Sequence, residues 1–262
     1  MTDLLNAALL GIVEGLTEFL PVSSTGHLLI AEHWLGARSE LFNVAIQAGA
    51  ILASLVVFRP RLQGLLLGLA SRENRDYLAR LALAFLITAV GGLVAKRAGI
   101  ELPETVAPVA AALIIGGLAM LVIERLVAGR PLADQVTWSV AFWVGSCQIL
   151  AAVFPGTSRS AATIFAAMLA GLTSRPAATE FAFLVGIPTM FAATAYEFLK
   201  LHTSAAAAAH EDWPAFAVAF VVSAVVAFIA VKWLLRYVQT HRFTAFAWYR
   251  IAVGALLLCF VR

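Results

Sequence analysis

The chain has 262 residues, 62% of them hydrophobic and 13% charged, with a formal net charge of +3, whereas a soluble domain carries about 25% charged and about 45–50% apolar residues. A mean hydropathy of +0.92 excludes a soluble globular domain: apolar runs long enough for a bilayer core of about 30 Å recur along the whole length. Nucleic-acid binding, which a pI near 9.1 would suggest by itself, is also excluded, because the basic residues are scattered over short loops between apolar runs, the pattern of positive-inside topology.

The expected class is an all-α, polytopic integral membrane protein forming one membrane domain over residues 1–262. Met1-Thr2-Asp3-Leu4 lacks the basic region of a signal peptide, so the first apolar segment is expected to stay in the mature protein. Turn signals divide the chain into ten apolar segments: 4–20, 24–35, 41–58, 78–98, 106–127, 137–153, 160–171, 177–199, 214–238 and 247–261. Pro21 and the run Ser23-Ser24-Thr25-Gly26 separate the first two, and Pro155-Gly156-Thr157-Ser158 separates 137–153 from 160–171. Proline and glycine there predict helix ends inside apolar chain. Each broken pair reads as a re-entrant hairpin followed by three full-length spans, which gives two five-element halves, 1–128 and 129–262, joined near Gly129 to Asp134.

A shift of 134 residues places Gly11 on Gly145, Glu14 on Gln148, Pro21 on Pro155 and Ser24 on Ser158. Three crossings between the hairpins invert the second half, and inverted repeats with broken helices are a known way to build a polar site at the bilayer midplane. With the loop expected at 59–77 inside, eleven Lys and Arg fall on the cytoplasmic side and five outside, which predicts both termini outside. Trp34, Trp138, Trp213, Trp233 and Trp248 lie near segment ends, as an interfacial belt requires. Ala205 to Ala209 is a low-complexity tract in an outer loop, with no function assigned. Cys147 and Cys259 lie in separate apolar segments without ligand spacing and read as buried small hydrophobes.

Chemistry concentrates at the two breaks. Glu14 and Glu18, four apart on a predicted helix, share one face with an axial offset of about 6 Å. Each charge at bilayer depth costs about 2.5–3.5 kcal/mol. The pair is either neutral and hydrogen-bonded in the bundle or set in a watered cavity as hard oxygen ligands for a divalent cation. The run Ser23 to Gly26 caps a second half-helix whose free N–H groups suit an anion, although serine and threonine cap helices everywhere. His27 follows Ser24 by three residues, so imidazole and hydroxyl are placed to approach within one turn. Arg159, between Ser158 and Ser160, needs an anionic partner. An ion pair with Glu14 or Glu18 and a clamp on phosphate both satisfy it, and substrate can replace carboxylate.

"EGLTEFLPVSSTGHL" (14–28) and "PGTSRSAAT" (155–163) resemble the two signature motifs of the bacterial undecaprenyl-diphosphate phosphatase family, known also for bacitracin resistance. The hydrophobic plan is similar over essentially the whole chain. The resemblance implies removal of the terminal phosphate of undecaprenyl diphosphate, yielding the monophosphate carrier lipid reused in cell-wall (peptidoglycan) synthesis. It further implies a divalent cation, Mg2+ or Ca2+, and an active site open to the outer side of the cytoplasmic membrane. By motif position the catalytic residues fall on Glu14, Glu18, Ser24, His27 and Arg159, with Glu14 and Glu18 holding the metal. The substrate wall falls on Ser23, Thr25, Gly26, Thr157, Ser158, Arg159, Ser160 and Thr163. Gln148 opposite Glu14, and Ala152 opposite Glu18, imply asymmetric catalysis on a doubled scaffold.

The expected partners are a polyprenyl diphosphate lipid and the bilayer, not nucleic acid; a homodimer is compatible with the sequence. A polyprenyl-phosphate transporter or flippase would share the architecture and the anion cradle, but translocation needs no nucleophile. Ser24 is the favoured nucleophile, with His27 as its base or as proton donor to the departing group. Direct attack by His27 or by a metal-bound water stays open.

Overall fold

The computed structural model describes residues 2–100, 105–202 and 212–260. The Ala205–Ala209 tract, His210, Met1 and Arg262 lie outside the described residues. Ten α-helices carry the described chain: α1 Thr2–Thr17, α2 Ser24–Leu35, α3 Glu40–Leu67, α4 Arg72–Arg97, α5 Val106–Val127, α6 Trp138–Val153, α7 Arg159–Leu169, α8 Arg175–His202, α9 Trp213–Thr240 and α10 Thr244–Phe260. Each corresponds to one of the ten expected apolar segments, in the same order.

The boundaries differ most between the third and fourth. Instead of ending before Pro60, α3 runs through it to Leu67, and α4 already starts at Arg72, so the loop expected at 59–77 shrinks to 68–71. Hydropathy sees the apolar middle of a span but not its polar helical ends, and proline inside a membrane helix is tolerated where neighbours compensate for the lost bond. Side chains set several starts: Ser39 Oγ accepts from Phe42 N at 3.1 Å and Thr137 Oγ1 from Val140 N at 3.2 Å. Gly36, Gly129 and Gly171 supply the positive φ of the tight turns after α2, α5 and α7.

Five of these helices, α3, α4, α5, α8 and α9, are long and apolar enough to cross a membrane. The chain is thus a polytopic all-α membrane protein. At 17 residues, α10 is about 25 Å long, shorter than the expected sixth span.

α1 and α3 pack on α9, α6 on α4, α10 on α5, and α3 on α8. Small residues set these distances, as in membrane bundles generally. A Cβ on Gly11 would stand 2.5 Å from the carbonyl oxygen of Ala219 in α9, and one on Gly145 would stand 2.6 Å from that of Ala84 in α4. Gly11 and Gly145 are the pair superposed by the 134-residue shift, so the first arm of each broken pair is seated on its partner helix in the same way. Thr88 Oγ1 then donates to Gly145 O at 2.9 Å, and Ser223 Oγ to Ile46 O at 2.6 Å. At one end of the bundle, buried Glu124 accepts from Arg175 Nε at 3.0 Å and Nη2 at 2.6 Å and from Phe243 N at 2.9 Å, tying α5 to α8 and to the α9–α10 turn.

Gly11→Val and Gly145→Val should each lower the detergent melting temperature, because backbone stands where the branched side chain must go and overpacking costs about 1–3 kcal/mol. Gly64→Ala, at a glycine with nothing within 4 Å, serves as the control and should leave Tm unchanged or raise it.

Candidate active site

A helix that stops inside an apolar bundle leaves its last carbonyls and the next helix's first N–H groups without intrahelical partners. Both breaks answer this with a serine N-cap in an uncommon backbone conformation. Ser23 has φ 75° and ψ 100°, and Ser158 has φ 64° and ψ 109°; they are the non-glycine residues with positive φ among those described. Such a conformation costs about 1–3 kcal/mol and persists only where the surroundings enforce it. Ser23 Oγ accepts from Gly26 N at 3.4 Å, and Ser158 Oγ from Ala161 N at 3.3 Å. The matched caps correct the sequence register. Between proline and cap the first break has one residue, Val22, and the second has two, Gly156 and Thr157, so Ser23 corresponds to Ser158 and Ser24 to Arg159.

A polar cavity of about 250 Å³ opens between the breaks, lined among others by Glu18, Ser23, Ser24, Thr25, Thr157, Ser158 and Arg159. Glu18 sits just past the end of α1 and is its focus. Ser24 Oγ donates to Glu18 Oε2 at 2.5 Å, while the Arg159 guanidinium forms an ion pair with Glu18 Oε1. Hydroxyl, carboxylate and guanidinium, drawn from both halves of the chain, thus meet at the N-termini of α2 and α7, where N–H groups and helix dipoles favour an anion.

The other residues singled out in the sequence lie off the cavity wall. Glu14 is buried one helical turn before Glu18, and its Oε2 has no hydrogen-bond partner. His27 faces elsewhere: Nδ1 lies 2.7 Å from Ser23 O, Nε2 lies 2.7 Å from Tyr249 OH, and the two rings stack at 5.5 Å. Ser24 therefore meets Glu18 and not His27. Ser160 Oγ donates to Leu20 O at 3.0 Å, joining α7 to the end of the first break. Thr163 Oγ1 donates to Arg159 O at 2.8 Å and Ser160 O at 3.1 Å within its own helix. Gly26 packs close to α5, where an added Cβ would stand 3.3 Å from Val109 and Leu113 side chains.

Sequence reading missed several contributors. Gln47 of α3, Thr88 of α4 and Thr189 of α8 complete the polar wall. Gln148 of α6 lines it too, buried, with neither side-chain Nε2 nor Oε1 hydrogen-bonded. An unpaired buried amide costs about 1–3 kcal/mol, which marks Gln148 as a group poised for a ligand. The largest omission is Arg250 of α10, fully buried and, among the described residues, without a carboxylate partner. Its guanidinium donates to five carbonyls: Pro21 at 3.4 Å from the first break, Gly156 at 3.1 Å and Thr157 at 3.2 Å from the second, and Ala112 at 3.1 Å and Leu113 at 3.4 Å from α5. The sequence signal was present, a charge within the apolar segment 247–261, but not its targets.

The family model described as bacitracin resistance protein BacA matches residues 7–256. Among curated proteins, one named undecaprenyl-diphosphatase from Stenotrophomonas maltophilia (strain R551-3) is 63% identical over 258 residues, covering 98% of this chain and 97% of that protein. A namesake from Rhizobium etli is 62% identical, with 98% and 96% covered. One from Xanthomonas oryzae pv. oryzae is 57% identical, with 98% and 97% covered.

Arg250→Met keeps the length but removes the shared donor of five carbonyls. It should destabilise the protein by at least about 3 kcal/mol, several orphaned acceptors at about 1–3 kcal/mol each. The measurement is thermal unfolding in detergent, and an unchanged Tm would show that water replaces the guanidinium.

Proposed function

The chain belongs to the bacitracin resistance protein BacA family, and from that premise we propose that it is a membrane-embedded undecaprenyl-diphosphate phosphatase. It hydrolyses the lipid diphosphate to undecaprenyl phosphate and inorganic phosphate, so recycling the carrier for cell-wall synthesis and conferring bacitracin resistance. The observation that carries the reading is the junction of Ser24 Oγ, the Glu18 carboxylate and the Arg159 guanidinium at two facing helix N-termini.

The terminal phosphate enters between the caps and takes Arg159 from Glu18, accepting a bidentate contact from the guanidinium and further bonds from backbone N–H groups. Glu18, released from the ion pair but still on Ser24, accepts the hydroxyl proton. Ser24 Oγ then attacks the terminal phosphorus, and the bond from that phosphorus to the bridging oxygen breaks, freeing the lipid monophosphate. Water attacks the phosphoserine in turn, restoring the Ser24 hydroxyl and releasing phosphate. His27, bonded to Ser23 O and Tyr249 OH, positions the strained cap and does not attack.

A divalent cation fits the donors present. Glu14 Oε2 and Gln148 Oε1 are buried oxygens without partners. Among the described residues no group of three or more His, Cys, Asp or Glu forms; Mg2+ is commonly bound through one or two carboxylates together with substrate phosphate and water. Glu14 and Glu18 would hold it, and when bound it neutralises charge on the phosphate.

The architecture proposed is a pair of inverted halves, each with a re-entrant broken helix. The matched seats of α1 on α9 and α6 on α4 and the matched caps Ser23 and Ser158 support it. The excess of Lys and Arg supports an orientation with the α3–α4 turn inside, and the family resemblance supports a site in the bacterial cytoplasmic membrane that opens outward.

Purified protein in detergent should release phosphate from undecaprenyl diphosphate, lose that activity to a chelator and regain it with Mg2+ or Ca2+. Arg159→Lys should retain less than a tenth of the rate, since an ammonium lacks the planar fork. Substrate binding without phosphate release would favour the transporter reading. For topology, single cysteines at Ser71 and Ala98, in a background without Cys147 and Cys259, should react with an impermeant thiol reagent in intact cells only at 98; the reverse pattern overturns the orientation.

A further inference from the structure

The polar cavity is smaller than its neighbour. A second cavity of about 530 Å³ lies between α5, α6 and α7, with no charged residue in its lining. Its size falls in the range of ligand pockets, about 300–1,000 Å³. Small side chains line it: α5 presents Ala112, Gly116 and Ala119, the glycine leaving room for the Arg250 guanidinium, and α7 presents Ala162 and Ala166. These recur at intervals of three or four, so each helix turns one low face toward the space. Bulkier apolar side chains form the outer rim, with Ile115 65% exposed and Phe154 42% exposed, so the space opens laterally as a groove.

Thr157 lines both cavities. It lies two residues before Arg159, and its carbonyl is held at 3.2 Å by Arg250. With the terminal phosphate held at Arg159, the inner phosphate, which carries the prenyl ester oxygen, reaches the wall shared at Thr157, and the first carbons beyond that oxygen meet the apolar groove.

We propose that the α5–α6–α7 groove is the binding site for the polyprenyl tail of the substrate, with Thr157 as the threshold between head and tail. This rests on the lipid-diphosphate reading above. An apolar occupant follows from the uncharged lining. Continuity with the anion site selects the substrate's own tail over an acyl chain of the surrounding bilayer, which has no reason to end at Thr157. A branched chain drawn from bilayer into a fitted trough gains contact through packing rather than through release of water, so affinity rises with tail length until the groove is full.

The test narrows the trough at an exposed position, where folding is not at stake. Ala119→Phe should raise KM for the C55 diphosphate about five- to tenfold and raise the ratio of the C55 to the C15 KM by a similar factor. Leu118→Phe, equally lipid-facing on α5 but outside the groove, should keep that ratio. An unchanged ratio in Ala119→Phe overturns the proposal. A second measurement needs no turnover: undecaprenyl phosphate carrying a photoreactive diazirine on an early isoprene unit should label α5 and α7 peptides, with C55 phosphate competing better than C15. Labelling spread over all lipid-facing helices shows ordinary annular lipid and overturns the groove. Labelling confined to α5 and α7 in protein that releases no phosphate from any diphosphate upholds the groove and refutes the phosphatase reading instead.

Discussion

Hydrocarbon offers no hydrogen bond, so a chain that breaks a helix inside a bilayer must supply a partner for every carbonyl it strands. In this protein one guanidinium does much of that work. Arg250 gathers carbonyls from both breaks and from α5. Because these acceptors come from three distant stretches, satisfying them also fixes the breaks relative to one another. Ser160 adds a direct tie from the second break to Leu20 of the first. The strained caps at Ser23 and Ser158 and the meeting of Ser24, Glu18 and Arg159 all presuppose this clamp.

The two breaks are alike in their caps, and a one-residue difference between them makes the site chemically uneven. The caps coincide, but the second break is longer by one residue before its cap. The first position of α2 is thus a hydroxyl and the first of α7 a guanidinium, and they converge on Glu18, whose opposite number by the 134-residue shift is Ala152. The glycine seats at Gly11 and Gly145 preserve the doubled packing while Glu14 and Gln148 differ in charge. In the mechanism proposed above, the residues before α6 bring the nucleophile and carboxylates, and the second break brings the cation that binds phosphate.

Much of this was legible in the sequence, for identifiable reasons. Apolar runs separated by proline, glycine and serine clusters located all ten helices, and a costly charge at bilayer depth marked Glu14, Glu18 and Arg159 as a set. The span read as ending at residue 58 runs on through Pro60, because proline is a strong stop signal in water but a mild one in a membrane span. His27 misled because spacing along a helix predicts which side chains share a turn, not which way a ring points. Its ring turns back to the Ser23 carbonyl and out to Tyr249, 222 residues away. Gln47, Thr88 and Thr189 have no local pattern to betray them, being single polar groups on separate spans. Arg250 was visible as a charge, but its acceptors are backbone atoms that only the folded chain brings together.

The Glu18–Arg159 pair also bears on how such an enzyme avoids being blocked by the membrane it lives in. Bulk bilayer lipids are phosphodiesters with a single negative charge on the phosphate, and a single charge is what Glu18 already presents to Arg159. Such a headgroup gains nothing by exchanging places with the carboxylate and must also lose its own hydration. A terminal phosphate with a second ionisable oxygen offers the guanidinium more charge and two oxygens in the geometry of its fork. In the mechanism proposed above, the internal carboxylate is a resident competitor, setting a charge threshold that the scarce diphosphate lipid passes and its abundant neighbours do not.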